Sequence, residues 1–162
     1  MLFRSNVWGS ALVGAVLAMA ACRAPAAWIP ALLLAFSASF SAKLADTCGS
    51  EIGKRWGRHA ILISNGRAVP PGTEGAISLE GTAASLLGSL LMTGGAALLG
   101  LISGLGAALL VAATGLVATL LESLIGATLQ RRWGWLSNEM VNGLQTLIAA
   151  VLALLLTPLL SL

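Results

Sequence analysis

The chain has no tyrosine, one histidine and two cysteines, and only 9% of its 162 residues are charged. A soluble domain carries about 25% charged residues. A chain this poor in charge cannot cover a surface that faces water, so lipid is its expected solvent. The lack of tyrosine, and of any stretch in which apolar and polar residues alternate, argues against a transmembrane β-barrel. The lone histidine, His59, and two widely separated cysteines make no zinc pattern. Cys22 and Cys48 are expected at opposite membrane faces, too far apart for a disulfide, whose Cα atoms lie within about 7 Å.

What the chain does have is apolar residue: 57% is hydrophobic and the mean hydropathy is +0.93. One long polar stretch interrupts it, residues 42–82, AKLADTCGSEIGKRWGRHAILISNGRAVPPGTEGAISLEGT. It holds four of the six acidic residues (Asp46, Glu51, Glu74, Glu80), five of the nine basic ones (Lys43, Lys54, Arg55, Arg58, Arg67) and the histidine. The expected chemistry therefore sits in this stretch, at one face of a bilayer.

The uncharged runs around it predict an all-α, polytopic membrane protein of a single domain, with about five transmembrane helices near residues 6–22, 28–46, 82–102, 105–125 and 141–160. The polar loops are then 47–81, the larger, and 126–139. The first run is marginal in length. With Arg4 before it and Met19-Ala20-Ala21-Cys22 at its end it has features of a secretory or lipoprotein signal. Gly9, Ser10 and Gly14 dilute its apolar core, however, and Met19 fits the lipoprotein pattern poorly, so a span is the reading taken. Pro25 and Pro30 suit the start of the second helix, which should run apolar from about Trp28 to Leu44 and continue, polar, into the loop. The forty uncharged residues of 82–121 are too many for one span and suit two, with a tight hairpin near Ser103-Gly104. Gly100 and Gly104, a GxxxG pair, fall at that turn rather than on a dimer face. The third and fourth spans are rich in small residues, which let helices approach closely in lipid.

Orientation follows from arginine and lysine in the short loops. With the N-terminus inside, eight of the nine basic residues lie on the cytoplasmic side and only Arg23 lies outside. Every acidic residue falls on that same inner face.

Several groups there are candidates for chemistry. Asp46, Gly49, Ser50 and Gly53 share one helix face, where a carboxylate among small residues can admit a metal ion or phosphate. The plainer alternative pairs Asp46 with Lys43 and Glu51 with Arg55 at helical spacing. Residues 49–54 look superficially like a phosphate-binding loop, but are one residue short of GxxxxGK and follow no strand. Pro70-Pro71-Gly72-Thr73-Glu74-Gly75 is a turn by its chemistry; its N–H groups could cradle an anion or simply connect. Glu122, Gly126 and Gln130 share a face where the fourth helix leaves the membrane. Asn138, Glu139 and Asn142 gather where the fifth enters, with Asn138 a good N-cap. Trp133 and Trp135 read as interfacial anchors rather than base-stacking groups. Carboxylates with arginine and lysine on one face suit a bound Mg²⁺ and a polyphosphate. They suit a transporter less well, because the spans carry no charge near the bilayer midplane.

The segments KLADTCGSEIGK (43–54), VPPGTEGAISLEGTAAS (69–85), ESLIGATLQ (122–130) and NEMVN (138–142), with RSNVWGSALVGA (4–15) before them, resemble the integral-membrane family that includes phytyl-phosphate kinase of the phytol-salvage route to tocopherol. The TEG and ES variants resemble its plant and cyanobacterial branch. The resemblance covers nearly the whole chain. It implies a kinase that moves a phosphoryl group from a nucleoside triphosphate, CTP or another, to phytyl phosphate or a related prenyl monophosphate, giving the diphosphate. By the same resemblance the polar catalytic candidates are Asp46, Glu51, Glu74, Glu80, Glu122 and Asn142. Mg²⁺ falls to Asp46, Glu51 and Glu122. The phosphate and nucleotide contacts fall to Lys54, Arg67, Gly72, Thr73, Gly75 and Gln130. The prenyl tail is expected among the small-residue faces of spans two to four. The partners implied are the prenyl-phosphate lipid and the bilayer of a bacterial inner membrane or thylakoid, with the site facing the cytoplasm; nucleic acid is not among them.

Two departures stand out. Family members usually carry further hydrophobic helices upstream, so the expectation includes a short form, a fragment, a homodimer or a partner that supplies those helices. Cys48-Gly49 also replaces the residues expected after the Asp-Thr pair. The competing readings are a small-molecule or lipid transporter or flippase, and a non-catalytic fragment.

Overall fold

The structure, a computed structural model, describes residues 2–130 and 132–160. Helix α1 covers Leu2–Ala21; a short 3-10 turn, Ala26–Trp28, leads into α2, Ile29–Trp56. A hairpin follows, with β1 (Ile61–Leu62) and β2 (Ala76–Ile77) paired antiparallel, Ile61 opposite Ile77 and Leu62 opposite Ala76. Then come α3 (Leu79–Leu98), α4 (Leu105–Ile125) with a π-helical extension Gly126–Gln130, and α5 (Asn138–Leu156) ending in the 3-10 turn Thr157–Leu160. This is an all-α polytopic membrane fold. Four helices among the described residues are long and apolar enough to cross a bilayer: those within 26–56, 79–98, 105–130 and 138–159. In α1, residues Ala11–Ala21 form a shorter apolar helix.

Helix α2 is the axis of the bundle, and α1, α3, α4 and α5 all pack against it. Its closest partner is α3. Small residues recur every fourth position on both helices: Ser37, Ser41, Ala45, Gly49 and Gly53 on α2, Gly81, Ser85, Ser89 and Thr93 on α3. Lipid gives helices no hydrophobic drive to associate, so close backbone packing and hydrogen bonds between them must do it. A Cβ at Gly49 would overlap the Ser85 hydroxyl, and one at Gly88 would stand 2.9 Å from the Leu44 carbonyl oxygen. Ser41 Oγ and Ser89 Oγ are 3.1 Å apart, and Ser89 donates to the Ala112 carbonyl at 2.7 Å. Deeper in, the buried Gln145 amide donates to the Ala42 carbonyl and to Thr119 Oγ1, both at 3.0 Å. Gly115 fits against Ser41 with no space for a methyl group. Part of the small-residue surface expected to hold a prenyl tail is thus taken up by helix–helix packing, at Gly49, Gly88 and Gly115, while Gly94 and Gly95 on α3 face open space. Large apolar side chains point outward instead, such as Leu87 and Leu91 on α3 and Leu109 on α4.

Several boundaries differ from the sequence expectation, each for a local reason. Helix α2 continues, polar, into the stretch after its apolar part as expected, and it reaches Trp56, so the loop proper begins after that residue rather than at 47. At 28 residues it is about 42 Å long, against a hydrocarbon core of about 30 Å, and its polar C-terminal part projects past the apolar slab. Helix α3 starts at Leu79, because the Ser78 hydroxyl caps it by accepting from the Gly81 N–H at 3.1 Å; Glu80 therefore lies in its first turn. Ser137, not Asn138, caps α5 by accepting from the Met140 N–H. The turn between α3 and α4 occupies 99–104, where Gly100 (φ 70°) and Gly104 (φ 83°) take the left-handed conformations that reverse the chain.

Candidate functional site

The polar end of α2 meets the ends of α4 and α5 and the turn before β2. Lys43 is the centre of this meeting. Its ammonium donates to Asp46 Oδ2 and to Asn142 Oδ1, each at 2.9 Å, tying α2 to α5. The Lys43 and Asp46 side chains are only 26% and 16% exposed, so this pair, expected at i, i+3, is sheltered enough to matter. Lysine has donors only, so Asn142 turns its carbonyl oxygen to Lys43 and leaves its amide N–H groups as donors for another group.

Glu51 behaves differently. It pairs at 3.6 Å with Lys54, not with Arg55, and both side chains are largely exposed, at 72% and 56%. Arg55 instead lies over the Trp56 ring, 5.3 Å from its centre. Five residues beyond Asp46 on one helix, Glu51 points about 140° away from it.

The turn from Pro70 to Gly75 is built as its residues require. Thr73 donates its N–H and its hydroxyl to the Pro70 carbonyl, at 3.2 and 2.7 Å, and Gly72 and Gly75 have φ of 84° and 73°. The Thr73 N–H is therefore not available as an anion donor. Gly72 rests against Lys54: a Cβ there would stand 3.3 Å from the lysine Cγ. Gly75 sits on Ala127, with no room for a methyl group between them. That contact carries Glu74 to the end of α4. A Cβ at Gly126 would lie 3.7 Å from Glu74 Oε2, 3.6 Å from Gln130 Oε1 and 3.4 Å from the Gly75 nitrogen. Gln130 in turn donates from Nε2 to Asn138 Oδ1, joining α4 to α5. One turn back, the half-buried Glu122 feels the charges of Asp46, Lys43, Glu74 and Lys54.

Of the residues singled out from the sequence, the fold gathers Asp46, Asn142, Glu122, Glu74, Gln130, Lys54, Gly72 and Gly75 at one end of the bundle. Arg67 is exposed on the hairpin, where its backbone N–H bonds Asn65 Oδ1 at 3.0 Å. Glu80 stands at the start of α3. Asp46, Glu51 and Glu122 do not converge as a three-carboxylate ligand set: among the described residues no group of three or more His, Cys, Asp or Glu is placed to hold a metal ion. Mg²⁺ at phosphoryl-transfer sites uses one or two carboxylates plus substrate phosphates. Asp46 and Glu122 are the two of these carboxylates whose charges act on one another across α2 and α4.

In the sequence Lys43 stands out only as the i, i+3 partner of Asp46. The signal was present: a lysine at the end of an apolar run is costly and tends to be functional. The Gln130–Asn138 bond and the Ala127 seat had no local signal, since both depend on how α4, α5 and the hairpin meet.

An α-helical membrane protein whose charged residues collect at the ends of three packed helices is the class this structure defines. The chain belongs to the family described as integral membrane protein DUF92, whose model matches residues 4–150. It is 46% identical over 149 residues to an uncharacterized membrane protein of Synechocystis, covering 92% of this chain and 57% of that one. It is 39% identical over 124 residues to Protein VTE6, chloroplastic, of Arabidopsis thaliana, covering 75% of this chain and 37% of the relative. An uncharacterized membrane protein of Methanocaldococcus jannaschii is 33% identical over 125 residues, covering 76% of this chain and 50% of that one. The chain thus spans about half the length of the curated relatives it matches. Cyanobacterial and chloroplast proteins are among them, the branch its motifs resemble. No solved structure matches.

Proposed function

We propose that this chain carries the site of a membrane-embedded kinase that transfers a phosphoryl group from a nucleoside triphosphate, with CTP the expected donor, to phytyl phosphate or a related prenyl monophosphate. The observation that carries the reading is Lys43, held between Asp46 and Asn142 at the polar end of α2, with Glu122 and Glu74 in electrostatic range of one another. Similarity to the chloroplast relative, in a family resembling that of phytyl-phosphate kinase, supports it.

In the reaction an oxygen of the prenyl monophosphate attacks the γ-phosphorus, the bond from that phosphorus to the bridging oxygen breaks, and the nucleoside diphosphate leaves with that oxygen's electrons. The nucleophile is already anionic and needs no strong general base, which suits a site without histidine. Positioning and charge neutralisation carry most of such a transfer. Lys43 and Lys54 supply positive charge to the phosphates, and the Asn142 amide supplies neutral donors. Asp46 and Glu122 are the carboxylates that would hold Mg²⁺, which when bound neutralises charge on the phosphates. The site faces the cytoplasm in this reading, by the distribution of arginine and lysine.

The test is phosphorylation of phytyl phosphate by the purified chain in nanodiscs, with CTP and ATP compared. Formation of phytyl diphosphate that fails in Asp46→Asn is the expected result. Full activity in Asp46→Asn would remove the metal assignment. Movement of lipid across the bilayer with no nucleotide turnover would replace the kinase by a transporter.

A further inference from the structure

The turn that bears Glu74 is neither free nor held by its own ladder alone. Gly75 lies on the buried Ala127 of the π-helical segment, so close that a Cβ would overlap the alanine's nitrogen, Cα and Cβ. Its φ of 73° is one that a residue with a side chain rarely adopts. On the other side Gly72 touches Lys54, and the Gly75 carbonyl accepts from the Ile63 N–H at 3.2 Å. The turn is therefore gripped from three directions: α2, the hairpin and the end of α4. Where it lands, α4 is wound as a π-helix, a rare form that often marks functional sites. The Gly126 N–H reaches both the Glu122 and Ser123 carbonyls there.

We propose that Gly75 and Ala127 form a latch whose role is to position the Glu74 carboxylate beside Gln130 and over the Glu122 end of α4. The assignment rests on the kinase reading above and adds two positioning residues to it. The turn's glycine serves here as a flat surface that fits against a helix. In this assignment Gly75, expected from the resemblance to contact phosphate, acts instead through Glu74, as Ala127 does.

Two independent substitutions lift the turn from its seat. Gly75→Ala places a methyl group into Ala127, and Ala127→Leu fills the seat from the helix side. In the full chain in nanodiscs, each should lower kcat on the order of tenfold to a hundredfold, as misplacement by about an ångström does, with KM for the prenyl phosphate little changed. Combined with Glu74→Gln, neither should lower activity further, because residues acting through one group are not additive. Losses that multiply would overturn the latch. The second arm does not depend on activity. Cysteines are placed at Glu74 and Gln130, with Cys22 and Cys48 replaced by serine, and joined by a short bifunctional thiol reagent. Efficient joining that falls several-fold on adding Ala127→Leu is expected in protein that remains monodisperse. Joining that does not respond to Ala127→Leu would overturn the latch even if the chain is an active kinase. A wild-type chain silent with every nucleotide, yet joined in this manner, would sink the kinase reading and leave the latch standing.

Discussion

The two halves of α2, before and after Lys43, use polar residues in opposite ways. Along its apolar length, Ser41 and the backbone at Ala42 meet hydroxyls and amides of α3, α4 and α5. Every one of those groups is neutral, buried and directed at a neighbouring helix. Past Lys43 the groups become charged, partly exposed and shared among α2, α4, α5 and a loop. A neutral hydroxyl can bond to a carbonyl one helix away and needs nothing further. A charge at the membrane boundary must be paired, hydrated or given a ligand. Substitutions in the first region should therefore act on assembly of the bundle, and those in the second on whatever the site binds.

The sharpest contrast is expected from Lys43→Ala. It removes the positive charge and frees Asn142, and activity should fall on the order of a hundredfold or more, the scale of losing one electrostatic contact in a transfer reaction. Thermal unfolding in detergent should move little beside that loss. A variant that unfolds but turns over normally when rescued by lipid would reverse the two roles. Next is Gly49→Val, which drives a side chain into Ser85; overpacking of this kind costs about 1–3 kcal/mol. Its thermal midpoint should drop, and any activity with it. An unchanged midpoint would mean that the α2–α3 contact is looser than described. Ser41→Ala is smaller, about 0.6 kcal/mol by the average for hydrogen bonds between helices in lipid, read as a modest fall in the same unfolding experiment. The least is Glu51→Gln. Its exposed pair with Lys54 is worth about 0–1 kcal/mol, and neither stability nor turnover should move appreciably. A hundredfold loss of turnover there would return Glu51 to the metal set.

The apolar helices and the α3–α4 turn were legible because length, hydropathy and glycine are local signals. The Pro70–Gly75 turn and the Lys43–Asp46 pair were legible for the same reason. The polar continuation of α2 was legible in the helical spacing of Asp46, Gly49, Ser50 and Gly53, but its end at Trp56 was not, since nothing local marks it before Gly57. The resemblance that sets Glu51 beside Asp46 in a metal site is one of sequence order, and it is blind to the helix that turns the two side chains about 140° apart. The starts of α3 and α5 fall a few residues before the expected spans, at serine caps, Ser78 and Ser137, the latter in place of the expected Asn138. The meeting of Gly75 with Ala127 lay beyond any sequence argument, for it joins residues that share no periodicity and are brought together by two separate helices and a hairpin.

The length of α2 has one more consequence. A single helix of about 42 Å exceeds the hydrocarbon core of about 30 Å, so, if its apolar part spans the core, its charged end would lie toward the headgroups. A lipid substrate would then need no extraction from the membrane: its headgroup would already lie at the height of the reacting groups, and the search for it would be confined to two dimensions. In the proposed kinase reading, protein and prenyl phosphate would meet by lateral diffusion, so turnover in a vesicle should follow the mole fraction of prenyl phosphate in the bilayer rather than its bulk concentration.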